Sequence, residues 1–211
     1  MGSAAVRIPA RTEEYVPVQR RYETGTVKDN LILAGIRELG RNGVQHFSLR
    51  RVAAACGVSC AAPYKHFRDK EAFLFAVVEY VNDLWAQRQE EVLRTCPDDP
   101  RQQLIASGMA YIHFLAEHPH VRSILMMKDS DFGGDPLPYK SRLTPRTQAL
   151  IRAYCQRYGV SHEAEVSKTF TVRALVYGTA LLIGNGEVES VSRSYEYAER
   201  MITRVFDETE A

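Results

Sequence analysis

The chain has 211 residues, of which 25% are charged and 45% hydrophobic, and its formal net charge is +1. That is an ordinary soluble composition, on a chain long enough for one large or two small domains with a real core. No run of about 18 apolar residues appears, the N-terminus lacks an apolar signal core, and four cysteines (Cys56, Cys60, Cys96, Cys155) form no secreted-type framework. Neither a membrane span nor a disulfide scaffold is therefore expected, and a cytoplasmic protein is.

From residue 1 to 25 no period holds, and Pro9, Pro17 and mixed charges predict a flexible arm. Its arginines (Arg7, Arg11, Arg20, Arg21) could reach a DNA minor groove, although a plain tail is the simpler reading. Thr26 with Asp29 three residues on makes a capping box that opens the first helix. Leu31, Ile32, Gly35, Ile36 and Leu39 form its buried stripe, and Gly35 predicts a close helix crossing. Gly43 ends this helix.

Residues 48 to 74, SLRRVAAACGVSCAAPYKHFRDKEAFL, are built like a helix-turn-helix. Ser48 is a good N-cap, and Leu49, Val52, Ala53 and Cys56 recur at helical spacing. Gly57 is placed to stop the first helix in a left-handed conformation. Ser59 then caps a second short helix expected from about Cys60 to Phe67. Small residues at its front, Cys60, Ala61 and Ala62, let it lie against another surface. Pro63 falls near its first turn, where few backbone donors have partners. A small front with a polar tip of Tyr64, Lys65 and His66 suits a DNA major groove. Charge agrees: residues 41 to 70 carry a net +5, and the remainder sums to −4.

This stretch resembles the N-terminal DNA-binding domain of the TetR family of transcriptional repressors. The matching residues are Ser48-Leu49, Val52-Ala53, Gly57-Val58-Ser59, Tyr64, His66-Phe67 and Lys70-Glu71. Cys56 and Cys60 depart from the pattern, and a thiol at Cys60 reads base edges poorly. In the resembled domain the first helix supports the two-helix motif, with Phe47 and Phe67 in its small core. By resemblance and by charge, Ser48, Arg50, Tyr64, Lys65, His66 and Lys70 contact phosphates, and Ser59, Cys60 and Ala61 face the groove.

Asp69 caps a long helix running to about Cys96, with Phe73, Val77, Val78, Val81, Leu84, Trp85 and Val92 on its apolar side. Asp99-Pro100-Arg101-Gln102 starts the next helix, which ends at His118, and Pro119 opens another through Met127. Residues 129 to 138 are a Gly/Pro loop. Thr144-Pro145 starts or kinks a helix to Tyr158. Ser161 caps one from about His162 to Ile183, and a last helix spans about Val188 to Phe206. The chain reads as all-α with about nine helices. Its expected parts are an arm (1–25), a helix-turn-helix domain (26–72), and a helical effector-binding and dimerisation domain (73–211).

Arg173-Ala174-Leu175-Val176-Tyr177-Gly178 resembles a variant of the Trp-His-Gly motif of one TetR subgroup, with Gly178 retained. The resemblance implies a homodimer on a palindromic operator, formed by the last two long helices, and release by a small-molecule effector that moves the long helix. Candidate effector contacts are Met109, Ile112, His113, Met126, Tyr154, Phe170, Arg173 and Tyr177, a mixture of apolar and polar groups on neighbouring helices. Arg173 interrupts an apolar run and needs an anionic or hydrogen-bonding partner. No catalytic set, phosphate-cradling glycine loop or zinc spacing stands out, so neither an enzyme, a cofactor nor a metal is expected. His113, His118 and His120 do not share one helix face. Cys60 near a helix start is a conceivable redox switch, a space-filler being the simpler reading. The competing class is a small all-α enzyme or metal protein that uses the helix-turn-helix only for packing.

Overall fold

The computed structural model describes residues 25–125 and 143–208. The arm up to residue 24, the Gly/Pro loop and Met126 lie outside the described residues. Among the described residues eight α-helices follow one another: α1 Val27–Asn42, α2 Leu49–Ala55, α3 Lys70–Leu93, α4 Pro100–Glu117, α5 Pro119–Leu125, α6 Pro145–Tyr158, α7 His162–Gly184 and α8 Val191–Asp207. One 3-10 turn, Pro63–Lys65, stands between α2 and α3. Among the described residues there is no strand, so the chain is all-α.

Side-chain caps explain where these helices start. Asp29 N donates to Thr26 Oγ1 at 3.3 Å and Thr26 N donates to Asp29 Oδ2 at 3.0 Å, the reciprocal box at the head of α1. Asp69 accepts from Ala72 N at 2.8 Å, Thr144 from Thr147 N at 3.1 Å and Ser161 from Ala164 N at 3.2 Å. Gly57, at φ 67°, turns the chain out of α2 in the left-handed region, which a side chain would resist. The last helix starts at Val191 rather than Val188, because Ser190 is the residue whose hydroxyl accepts from Arg193 N, at 3.3 Å. The long helix ends at Leu93, and the chain turns through residues 94–96 before Pro97.

Two compact units emerge. The first holds Pro9–Asp83 and Pro119–Arg142, so it contains α1, α2, the 3-10 turn, the front of α3, and α5. Phe73 is its fully buried centre, with the Phe67 ring edge-on at 4.8 Å and Phe47 stacked at 5.5 Å. The predicted close crossing at Gly35 is real: a Cβ there would overlap the Phe73 ring. Gly40, further along α1, is covered in the same way by the His120 ring of α5.

The second unit holds Leu84–His118 and residues from Leu143 on. Here α4 packs against α6, α7 and α8, with Ile112, Leu115 and Ile202 fully buried. Leu93, Leu104, Leu150 and Tyr154 make a cluster flanked by Ile151 and Phe206. Gln89 of α3 is fully buried, yet every polar atom of its amide is used. Its nitrogen donates to Thr147 Oγ1 (2.8 Å) and Ser107 Oγ (3.3 Å), and its oxygen accepts from Thr144 Oγ1 (2.7 Å). One buried amide therefore ties the first turn of α6 to α3 and α4. Lys168 of α7 donates to the Val205 and Glu208 carbonyls at the end of α8, at 2.5 and 2.7 Å.

Only Val176 and Ala180 of the 23-residue α7 are buried. By length and composition α7 is apolar enough to cross a membrane, although Lys168 and Arg173 interrupt it and it holds no unbroken run of 18 apolar residues. Its apolar residues point both inward and outward: Val166, Phe170, Ala174, Tyr177 and Leu181 follow helical spacing along an exposed stripe.

Candidate nucleic-acid interface

In the first unit, Pro63 and Phe67 are buried, and the residues around them face outward. Ser59, Cys60 and Ala61 on one side and Tyr64, Lys65 and His66 on the other are all exposed. Tyr64 is 59% exposed, far more than a tyrosine with a core to join. The segment is not the short α-helix expected from Cys60 to Phe67. Its bonds run from Tyr64 N to Ala61 O (3.2 Å), Lys65 N to Ala62 O (3.1 Å) and His66 N to Pro63 O (3.0 Å), a 3-10 pattern. Pro63 supplies no amide of its own, and a stretch this short gains little from i→i+4 bonding. Cys60 precedes this turn and starts no α-helix, so the helix-dipole argument for a reactive thiol there has no helix to act through.

The five Lys and Arg residues of 48–74 are not equivalent. Arg51 donates to Glu38 at 2.7 Å and to the His46 carbonyl, which fastens α2 to α1. Arg68 donates to Asp69 at 2.7 Å. The Asp69 carboxyl is held below its ordinary range, first by the Ala72 amide and then by Arg68. Lys70 donates to the Val44 carbonyl at 3.3 Å and lies 5.7 Å from the Phe47 ring centre. Ser48 uses its hydroxyl to accept from Arg51 N at 3.4 Å. Arg50 and Lys65, both exposed, have no carboxylate partner among the described residues.

The seven effector candidates among the described residues scatter. Met109 and Ile112 are buried core of α4. Tyr154 is buried too, its hydroxyl donating to the Phe206 carbonyl at 2.7 Å. His113 stacks on Tyr195 at 3.9 Å, and burial holds its imidazole below the ordinary range. Tyr177 meets Tyr111 edge-on at 6.3 Å, and burial, with Tyr177 adding to it, pushes the Tyr111 hydroxyl well up. Phe170 and Arg173 do share a site, an open cleft of about 510 Å³ between α6 and α7. Sequence reading missed the other contributors to that cleft, Ile151, Arg152 and Val166 among them. Val166 lies one helical turn before Phe170, the available signal. Gln89 was missed as well, although it sits four after Trp85 and three before Val92 on an otherwise apolar stripe.

Other reactive groups are engaged or subdued. His118 Nδ1 is 2.8 Å from the Phe114 carbonyl oxygen, and His120 covers Gly40. Burial raises the thiols of Cys56, Cys96 and Cys155. Among the described residues no three His, Cys, Asp or Glu side chains gather as a metal site.

Comparison with known proteins decides the family. Residues 31–77 match the model of bacterial regulatory proteins of the tetR family, and residues 104–205 match the tetracyclin repressor-like C-terminal domain. The chain belongs to the TetR family. Its exposed tip at Ser59–His66 falls inside the first match, and the α6–α7 cleft inside the second. Among curated TetR-type relatives, the uncharacterized HTH-type transcriptional regulator YerO of Bacillus subtilis (strain 168) is 23% identical over 166 residues, 76% of this chain and 57% of that protein. The probable acrEF/envCD operon repressor of Escherichia coli (strain K12) is 23% identical over 146 residues, 63% of each. The matches thus span less than two thirds of these relatives' own length. Among solved structures, a TetR family transcription regulator from Marinobacter aquaeolei VT8 shares the fold at TM-score 0.64 and 20% identity, covering 89% of this chain and 97% of that one. A TetR variant from Acinetobacter baumannii AYE, in complex with minocycline, does so at 0.57 and 19%, covering 86% and 95%.

Proposed function

We propose that this TetR-family chain is a transcriptional repressor that binds a palindromic DNA operator as a homodimer and is released by a small-molecule effector. The exposed tip carries this reading. Tyr64, Lys65 and His66 are held out between the buried Pro63 and Phe67, Arg50 of α2 is exposed as well, and a module used only for packing has no use for such a tip. Two relatives bear regulator and repressor names, and one structural neighbour holds minocycline.

A single tip reads too few base pairs to single out a site in a genome, and a two-fold dimer places a second tip in the next major groove. The exposed apolar end of α7 at Leu181 and Leu182, with Tyr197 and Met201 of α8, supplies a face for such a dimer, and paired helices from two copies would close it as a four-helix bundle. The effector would act from the second unit, where α3 residues 84–93 pack, by preferring one of two arrangements of that helix.

The test is binding of the full-length protein to random-sequence duplex DNA from 50 to 200 mM salt. Affinity should fall steeply and linearly on a log–log plot, and Lys65→Ala should reduce the slope by about one. No binding at the low-salt end, or a flat salt response, would favour the enzyme or metal-protein alternative.

A further inference from the structure

The cleft between α6 and α7 is the size of a small-molecule site, and its lining constrains the chemistry of what it can hold. Ile151 of α6 and Val166 and Phe170 of α7 make an apolar wall. Three charged side chains join them: Arg152, Glu165 and Arg173. Glu165 is already engaged, since the Cys155 thiol hydrogen-bonds to it and His162 Nδ1 lies 3.9 Å away. It also sits in the first turn of α7, eight residues before Arg173, or about 12 Å along the helix. Arg173 therefore has no acid at its own end of the cleft. The Tyr177 ring lies 6.0 Å from its guanidinium carbon, and its charge also reaches the Tyr111 hydroxyl.

A half-buried guanidinium beside an apolar wall is a planar fork of donors without an acceptor, and a carboxylate fits that fork with two parallel hydrogen bonds. A cationic ligand would meet two arginines and one occupied glutamate. An uncharged apolar ligand would fill the wall and leave Arg173 unpaired, and the second charge of a dianion would meet only Arg152, whose exposed side chain is screened by water. We propose that the α6–α7 cleft takes an amphipathic monocarboxylate, its head on Arg173 and its hydrocarbon along Ile151, Val166 and Phe170. The ligand class deepens the effector reading above and rests on it only for the consequence at DNA. That consequence has a route: the first turn of α6 is bound through Thr144 and Thr147 to Gln89 of α3, the helix whose other end carries Lys70.

The test is calorimetric titration of the full-length protein with three probes of one tail length: decanoate, decan-1-ol and decyltrimethylammonium. Decanoate should bind at least about tenfold more tightly than the alcohol, the usual effect of a hydrogen bond to a charged group, and the ammonium more weakly than either. Arg173→Met should weaken decanoate about tenfold or more and leave the alcohol unchanged. Arg173→Lys, which keeps the charge and loses the fork, should fall between and guards against a misfolded first variant. Equal binding of decanoate and decan-1-ol, or wild-type decanoate affinity in both variants, overturns the proposal. Duplex DNA affinity is measured on the same samples. Decanoate bound through Arg173 with no effect on DNA keeps the cleft assignment and sinks effector release, whereas DNA binding without Arg173-dependent decanoate binding sinks the cleft assignment alone.

Discussion

The two units treat their apolar surface differently. In the first, the large hydrophobics converge on Phe73, and among the described residues the ones left exposed are Val27, at the start of α1, and Tyr64, at the tip. In the second, α7 and α8 leave Val166, Phe170, Tyr177, Leu181, Tyr197 and Met201 uncovered, Phe170 at 73% exposure. Scattered exposed hydrophobics need no explanation, but a stripe at helical spacing along one 23-residue helix does. The first unit closes its own core, while the second has apolar residues to spare on one side. A domain of the first kind is complete by itself, and one of the second kind calls for a covering surface.

The most damaging single change to the first unit is expected at Gly35. A leucine there must displace the Phe73 ring, which Phe47 and Phe67 hem in, so Gly35→Leu should cost about 3 kcal/mol in urea unfolding and abolish duplex binding. Wild-type stability in that variant would mean that the core is looser than its contacts imply. In the second unit the sharper probe is polar. Gln89→Leu strips partners from Ser107, Thr144 and Thr147 inside the core and should cost about 2 kcal/mol. A neutral outcome would show that the threonines cap α6 adequately by themselves. The smallest effect is a pH response of the second unit. Burial depresses the His113 imidazole, with Arg88 assisting and Glu117 opposing, so the folded state prefers the neutral ring. The unfolded chain then takes up the proton first. Stability present above about pH 6.5 is lost as pH falls through the depressed folded value. The melting temperature should decline over that window, and His113→Gln should flatten the decline; an unaltered curve would remove His113 from the account.

Legibility in the sequence followed the range of the interactions. The reciprocal box at Thr26 and Asp29, the caps at Asp69, Ser161 and Thr144, the left-handed stop at Gly57 and the crossing at Gly35 all depend on residues a few positions apart or on a missing side chain. Those features were readable directly. The Cys60–Phe67 segment was misread because its helical look ignored how little a stretch this short gains once Pro63 has removed a donor. The α6–α7 cleft depends on which residues of two helices meet, so Phe170 and Arg173 were legible by type, while Ile151 and Arg152 were not. Met109, Ile112 and Tyr154 have the chemistry of ligand contacts and the location of core, a distinction that only three-dimensional packing makes. Gln89 shows the converse: a polar residue on an apolar stripe whose partners lie 18 and 58 residues away.

The contrast between a closed unit and an uncovered one is tested most directly by sedimentation of the full-length protein at micromolar concentration, beside Leu181→Glu, a change on the exposed stripe outside the α6–α7 cleft. A dimer for the wild type is predicted, with a monomer for the variant at unchanged helix content, because a buried unpaired carboxylate on the stripe is too costly for two copies to close over it. A monomeric wild type, or a Leu181→Glu variant that stays dimeric, would contradict the account.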